Sequence, residues 1–174
     1  MSVSRKRRRV PESVHAKLWE DQLFNDAFIT CGSKSFPVHC LVLITASPVF
    51  ANMFASRMQE TTTRTVNIVD YSPAVVESML KFVYKGTLPE GSWDPIDLAL
   101  YEIANKYEIT SLIRTMGSRM WLNLNQENVF ICYQAVHRFS RAGSSEALKL
   151  WEALYTKIKD DAQLFKAFVE HSLE

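Results

Sequence analysis

The hydrophobic residues of this chain recur with two different periods, and the order of those periods restricts the fold. Two β-rich segments, 28–31 and 36–39, flank the turn-forming segment 32–35, which predicts an antiparallel hairpin. The alternation at 66–68 predicts a third, half-buried strand. From Ser72 onward the apolar residues follow helical spacing, with no alternation of strand and helix. Strands early and helices late predict an α+β fold with a short sheet and an all-helical C-terminal extension.

Capping signals place most of the helices. Three predicted helices begin with an N-cap residue followed by proline, at 47–48, 72–73 and 94–95. Gly86 is predicted to end the helix that begins at 72–73, in a left-handed conformation. Thr110 or Ser111 is predicted to cap the helix that follows the one beginning at 94–95. Short helices are also predicted at 11–22 and 41–46. Three amphipathic helices then follow in succession after Asn125.

These elements divide the chain into three parts. Residues 1–10 are a basic tail that we expect to be disordered, residues 11–122 form the α+β domain, and residues 123–174 form the helical extension. The extension is close to the lower size limit for an independent core, so we expect it to pack on the first domain. The first helix, with Val14, Leu18 and Trp19, is more apolar than an isolated short helix can use, and a partner chain could cover it.

The charge distribution limits the class of partner. Arg5, Lys6, Arg7, Arg8 and Arg9 form one basic run, and the rest of the chain carries 15 Lys+Arg against 19 Asp+Glu, a formal charge of −4. This net negative charge outside the basic run is unfavourable for binding nucleic acid. No apolar stretch is long enough to suggest a membrane span. Lys6 to Arg9 have the composition of a nuclear localisation peptide, although a solvated basic tail is an equal alternative. We therefore expect the protein to be located in the nucleus, and a cytoplasmic location is a second possibility.

Signals for catalysis and for cofactors are weak. His39 and Cys40 could be drawn as a base and a nucleophile, but adjacent residues of a strand point to opposite faces. The three cysteines and four histidines lack metal-ligand spacing, and the five glycines form no phosphate-binding loop. A histidine hydrogen-bonded at a strand–helix junction is the simpler interpretation of His39. We therefore expect no enzyme activity, no metal and no cofactor.

Several motifs occur together in a recognisable order. The segments that carry them are 18–26, the Phe-Pro-Val-His at 36–39, the Ala-Ser-Pro-Val-Phe at 46–50, the Met-Gln-Glu at 58–60, the Phe-Val-Tyr-Lys-Gly at 82–86 and the Ala-Asn-Lys-Tyr-Glu-Ile at 104–109. In this combination the chain resembles the BTB/POZ domain family, and within it the speckle-type POZ group. The helices after Asn125 are similar to the family's 3-box and the beginning of a BACK domain.

The resemblance implies a dimerisation and adaptor module. In the family the first helix and the helix after the hairpin form the dimer interface, which here falls on Val14, Leu18 and Val42. In cullin-3 adaptors a hydrophobic-x-Glu motif follows the Ser-Pro-x-Phe helix, and 58–60 fits it. The residues that the resemblance assigns to cullin binding are Phe54, Met58, Gln59, Glu60, Tyr107 and Tyr133.

Two function classes remain open on this basis. The protein is either a homodimeric substrate adaptor of cullin-3 RING ubiquitin ligases, with the cullin-3 N-terminal domain and an unknown substrate protein as partners, or a nuclear scaffold or transcriptional regulator that only dimerises. No substrate domain is recognised, so a substrate binds the BTB or helical segment, or the chain is part of a longer one. Cys40 follows His39 where many family members have Lys or Arg, which speaks against the charged pocket of transcriptional BTB domains.

Overall fold

The computed structural model describes residues 14–55, 63–89 and 94–173, which form three strands and nine helices within these ranges. In chain order the elements are α1 (Val14–Asp21), β1 (Ala27–Cys31), β2 (Lys34–Val38), α2 (Cys40–Ala46), α3 (Pro48–Ala55), β3 (Thr65–Asn67), α4 (Pro73–Lys85), α5 (Pro95–Lys106), α6 (Thr110–Leu122), α7 (Val129–Arg141), α8 (Ser145–Asp160) and α9 (Ala162–Ser172). The predicted α+β class, with a helical extension after a small sheet, is confirmed.

The sheet is mixed, and β1 is its central strand. β2 pairs with β1 antiparallel and β3 pairs with it parallel, so that Ile29 lies opposite both Phe36 and Val66. These three apolar side chains are buried, whereas Phe28, the next residue along β1, is exposed. The alternation is the expected result of one buried sheet face. The predicted third strand forms one residue earlier than expected.

The local capping signals act as predicted at three helices. Ser47 accepts a hydrogen bond from the Phe50 N–H at 3.1 Å, and Ser72 accepts one from Val75 at 3.4 Å. Asp94 forms a capping box at the start of α5. Gly86 ends α4 with φ of 71°, a left-handed conformation that glycine adopts without strain.

The predicted cap of α6 is wrong. This helix begins at Thr110, and its N-cap position is Ile109, which provides no side-chain hydrogen bond. The reason is the three-residue turn between α5 and α6. Glu108 takes φ of 50°, and the Ile109 N–H donates to the carbonyl of Ala104 at 2.9 Å. This tight turn buries the Ile109 side chain completely, so tertiary packing selects an apolar residue at the cap position.

One hydrophobic core runs through the α+β part and the extension. It includes Leu43 and Met79 of the first part and Val136 and Leu154 of the second. Polar contacts also cross the junction. Arg114 of α6 lies 3.1 Å from Glu146 of α8, Arg138 of α7 lies 2.5 Å from Glu102 of α5, and Ser144 donates to the Asn105 amide oxygen at 3.1 Å. The extension therefore packs as a continuation of the first domain.

Candidate protein interface

Helix α1 is attached to the rest of the molecule along one side only. The Trp19 ring lies 5.3 Å from the Tyr84 ring of α4, and Glu20 forms an ion pair with Lys85. Even so, α1 contains no buried residue, and Val14 is 77% exposed. Leu18 is half-buried. The helix therefore presents an apolar side that the described part of the chain does not cover.

The two segments that follow α1 add to this exposed apolar area. Val42 of α2 is half-buried. We define the front apolar surface as the exposed apolar side chains on α1, on the 22–26 loop and on α2, namely Val14, Leu23, Phe24, Leu41 and Ile44. Large apolar side chains grouped on neighbouring segments are typical of protein-binding surfaces. The exposure of Leu41 and Phe24 is not predicted from the sequence, because nothing local distinguishes them from core residues.

His39 joins the loop, α2 and α4 through its ring and its backbone. The His39 N–H donates to the Tyr84 hydroxyl oxygen at 2.8 Å, and the Nδ1 atom lies 2.9 Å from the same hydroxyl. Nε2 lies 2.7 Å from the Leu23 carbonyl. A carbonyl only accepts, so Nε2 carries the proton and Nδ1 accepts the hydrogen of the Tyr84 O–H. Burial raises the pKa of Tyr84 to about 12, which keeps this hydroxyl protonated.

Asp26 holds the start of α2 and pairs with a distant arginine. The Cys40 N–H donates to Asp26 Oδ1 at 2.7 Å, and Arg64 Nη1 donates to Oδ2 at 2.9 Å. Burial and the Asp26 charge raise the pKa of the Cys40 thiol, which favours its neutral, unreactive form. Both ring nitrogens of His39 are engaged elsewhere, so this histidine does not act as a base for Cys40. The arrangement is suited to positioning backbone and not to nucleophilic catalysis.

Ser47 connects α3 to the turn between α5 and α6. In addition to capping α3, the Ser47 hydroxyl donates to the Tyr107 carbonyl at 2.5 Å. The Phe50 and Tyr107 rings stack with centroids 4.6 Å apart and planes 12° apart. Ser47, Phe50 and Tyr107 are all buried. The Ser-Pro-x-Phe sequence thus works as one unit that fixes the direction of α3.

The described residues among those predicted to bind cullin lie in different environments. Tyr107 is only 3% exposed, so its side chain packs inside the domain and offers almost no surface to a partner. Phe54 lines a cavity of about 370 Å³ together with residues of α2, α3 and Arg64. Tyr133 lies in an aromatic cluster of the extension, 4.9 Å from the Phe168 ring. The cavities that Phe54 and Tyr133 line have no residue in common.

Two predicted segments fall outside the described residues. These are the motif formed by Met58, Gln59 and Glu60, and the basic run formed by Lys6, Arg7, Arg8 and Arg9. For the ranges that are described, no helix is both long and apolar enough to span a membrane. Those same ranges contain no group of three or more His, Cys, Asp or Glu placed to hold a metal ion.

The chain is similar in sequence to curated proteins whose names include a POZ or BTB domain. Among curated proteins, the chain is 31% identical over 112 residues to TD and POZ domain-containing protein 4 of Mus musculus, covering 64% of this chain and 30% of that protein. It is 26% identical over 166 residues to Kelch repeat and BTB domain-containing protein 4 of Pongo abelii, covering 95% of this chain and 30% of that protein. The chain thus spans about a third of the length of the curated relatives it matches.

A solved structure and a family model complete the comparison. The BTB domain of zebrafish PATZ1 aligns with a TM-score of 0.49 at 23% identity, covering 57% of this chain and 79% of that one. The narrower resemblance to the speckle-type POZ group stays a prediction. The model of the BTB/POZ domain matches residues 16–120, from α1 to the end of α6. The chain therefore belongs to the BTB/POZ domain family, and its α1–α6 segment is a protein-interaction module.

Proposed function

We propose that this protein is a homodimeric adaptor of cullin-3 RING ubiquitin ligases. In this proposal the front apolar surface mediates dimerisation, and the end of α3 with the 58–60 motif binds the cullin-3 N-terminal domain. A separate protein, not yet identified, is the substrate. The chain itself supplies binding and orientation, with no catalysis and no cofactor. Membership of the BTB/POZ family supports the interaction role.

The observation that carries the dimer proposal is the incomplete burial of α1. An amphipathic helix in a monomer buries its apolar side, whereas α1 buries no residue and exposes Val14. A second copy of the chain offers the same surface, and a two-fold interface is self-complementary. Leu18 of α1 and Val42 of α2, both half-buried, add further apolar area on the same two helices.

A matched pair of exposed valines tests the dimer. Val14 is 77% exposed within the proposed interface, and Val69 is 73% exposed outside it. In a two-fold dimer each charge enters twice, so we expect Val14→Asp and Leu18→Asp to give monomers by light scattering. Val69→Asp should remain dimeric. A wild type that is monomeric at tens of micromolar, or equal behaviour of Val14→Asp and Val69→Asp, would contradict the proposal.

The cullin proposal rests on the way α3 is held. Ser47 and Phe50 attach the beginning of α3 to Tyr107, in the turn between α5 and α6. The segment that follows α3 therefore starts from a helix whose position is fixed. In that segment Met58 offers a flexible thioether that fills irregular apolar pockets, and Glu60 offers a carboxylate that fixes orientation. A rigid base with an adaptable anchor is the arrangement expected for a partner-binding loop.

Calorimetry with the cullin-3 N-terminal domain tests this assignment. Truncating a central anchor typically costs about 2 kcal/mol, so we expect Met58→Ala to weaken binding about thirtyfold. Val69→Asp is the control and should bind as the wild type does. If the wild type does not bind below about 10 micromolar, the adaptor proposal fails and the chain is better described as a dimerising nuclear scaffold.

The basic run supports a proposal about location. We place the protein in the nucleus, because Lys6 to Arg9 have the composition that import receptors recognise in extended form. A fluorescent fusion should move from nucleus to cytoplasm when Lys6, Arg7 and Arg8 are replaced by Ala. An unchanged nuclear distribution would remove the targeting role of the run.

A further inference from the structure

A groove lies between α6 and α8, on the side of the extension. The two helices approach closely at Gly117, where an added Cβ atom would meet Leu150 Cδ2 at 3.1 Å. Beside this contact the surface opens into a cavity of about 650 Å³. Its apolar lining comes from both helices and consists of Ile113, Gly117, Trp121, Leu122, Leu150 and Ala153. Trp121 and Leu122 are exposed, so the described residues leave the apolar surface of this α6–α8 groove uncovered.

The edges of the α6–α8 groove are positively charged. Arg114 and Lys149 line it, and Lys157 lies beside it with Nζ 4.3 Å from the centroid of the Trp121 ring. Among the described residues, Glu146 is the one carboxylate in the lining. It is shared between Arg114 at 3.1 Å and Lys149 at 3.5 Å. Within the lining, two cations against one anion leave an excess of one positive charge, and Lys157 adds a further cation beside the Trp121 ring, in a chain whose residues outside the basic run carry −4.

We propose that the α6–α8 groove binds an acidic amphipathic helix of a partner protein. The apolar lining requires an apolar stripe, and the cationic edges favour Asp and Glu on both sides of that stripe. The lining residues of α6 run from Ile113 to Leu122, which at 1.5 Å per residue is about 14 Å of helix. A partner helix of about three turns matches this length. The site shares no residue with the front apolar surface or with the 58–60 motif, so it goes beyond the adaptor proposal.

Two synthetic helical peptides of about 14 residues test the proposal with the intact chain. Both carry leucines at i, i+3, i+4 and i+7, and the flanking residues are glutamates in one peptide and lysines in the other. We expect the glutamate peptide to bind with Kd of about 10 to 100 micromolar, at least tenfold tighter than the lysine peptide. Added salt should weaken binding of the glutamate peptide, because salt screens its attraction to the cationic edges of the groove. Amide shifts in a nitrogen-15 spectrum should centre on Gly117 and Trp121.

Matched variants separate this site from non-specific attraction. Lys149→Glu and Leu122→Ser should each raise the Kd of the glutamate peptide at least tenfold. Lys166→Glu makes the same charge change on α9, where the Lys166 side chain is 75% exposed, and Ile131→Ser makes a similar apolar loss on α7. Both controls should stay within twofold. The proposal is overturned by a Kd above about 1 millimolar, by equal binding of the two peptides, by equal effects of variants and controls, or by shifts centred on α1 and α2.

Discussion

Replacing Ser47 by alanine tests whether one hydroxyl both caps α3 and fixes it to the rest of the domain. The hydroxyl is buried, accepts from the Phe50 N–H at 3.1 Å and donates to the Tyr107 carbonyl at 2.5 Å. Ser47→Ala removes both hydrogen bonds while leaving the backbone conformation accessible. Ser72 provides a matched control, since it caps α4 in the same way and is exposed, and among the described residues its hydroxyl bonds with the Val75 N–H alone.

The two variants differ by one buried hydrogen bond, and this sets the expected difference. Loss of an N-cap costs about 1 kcal/mol, which is the whole effect expected for Ser72→Ala. Ser47→Ala loses the same cap and also leaves the buried Tyr107 carbonyl without its partner, which adds about 1 to 2 kcal/mol. We therefore expect a total loss of about 2 to 3 kcal/mol for Ser47→Ala.

Urea denaturation followed by circular dichroism measures this difference. With an m-value of about 2 kcal/mol per molar, the midpoint of Ser47→Ala should fall by about 1 to 1.5 M, and that of Ser72→Ala by about 0.5 M. All samples are compared at one protein concentration, because self-association adds to apparent stability. If the two serine variants unfold at the same midpoint, the hydroxyl is only a cap and does not connect α3 to the Tyr107 turn.

Three further predictions concern buried or charged groups. Tyr84→Phe should lower the free energy of unfolding by about 2 kcal/mol and speed amide exchange at the start of α2, because the hydroxyl there is a hydrogen-bond partner. Asp97→Ala should lower the free energy of unfolding by about 3 kcal/mol, measured by urea denaturation. The Arg119 Nε atom lies 3.2 Å from Asp97 Oδ2, and the variant leaves this mostly buried positive charge without the Asp97 carboxylate. Arg114 lowers the pKa of Glu146 below its ordinary 4.5, so the stability this carboxylate adds is present above pH 4.5 and is lost as the pH falls. Glu146→Gln should therefore lose less stability than the wild type on acidification from about pH 6 to about pH 3.

The sequence predicts the elements whose ends depend on neighbouring residues. The starts of α3, α4 and α5 follow from a serine or aspartate before proline, because capping involves residues within three positions of each other. The hairpin follows from two β-rich segments around a short polar turn. The start of α6 could not be predicted in this way, since Ile109 occupies its cap position for reasons of tertiary packing.

The front apolar surface could be predicted only in part. Val14 of this surface, and Leu18 one turn later on α1, are expected from helical spacing, and the same reasoning assigns Trp19 to a partner. In the structure Trp19 packs against Tyr84 instead, which lies 65 positions later in the chain. Periodicity identifies apolar residues on one face of a helix, but it does not say which neighbour covers each of them. That division between internal packing and exposed surface is a tertiary property.

The charge near Cys40 shows the same limit at the level of a motif. In the sequence, Cys40 occupies the position after His39 at which many family members have Lys or Arg. In the folded chain the parallel pairing of β3 with β1 brings Arg64 to Asp26, and its Nη1 atom lies 3.9 Å from the Cys40 sulfur. The Arg64 and Asp26 side chains are both about half exposed, so the ion pair adds at most about 1 kcal/mol. The ion pair therefore matters less for stability than for the position of charge. It holds the Arg64 guanidinium beside Cys40, although Cys40, the residue after His39, is itself neutral. Position 40 itself is neutral, and the nearby positive charge comes from a residue 38 positions away from its carboxylate partner.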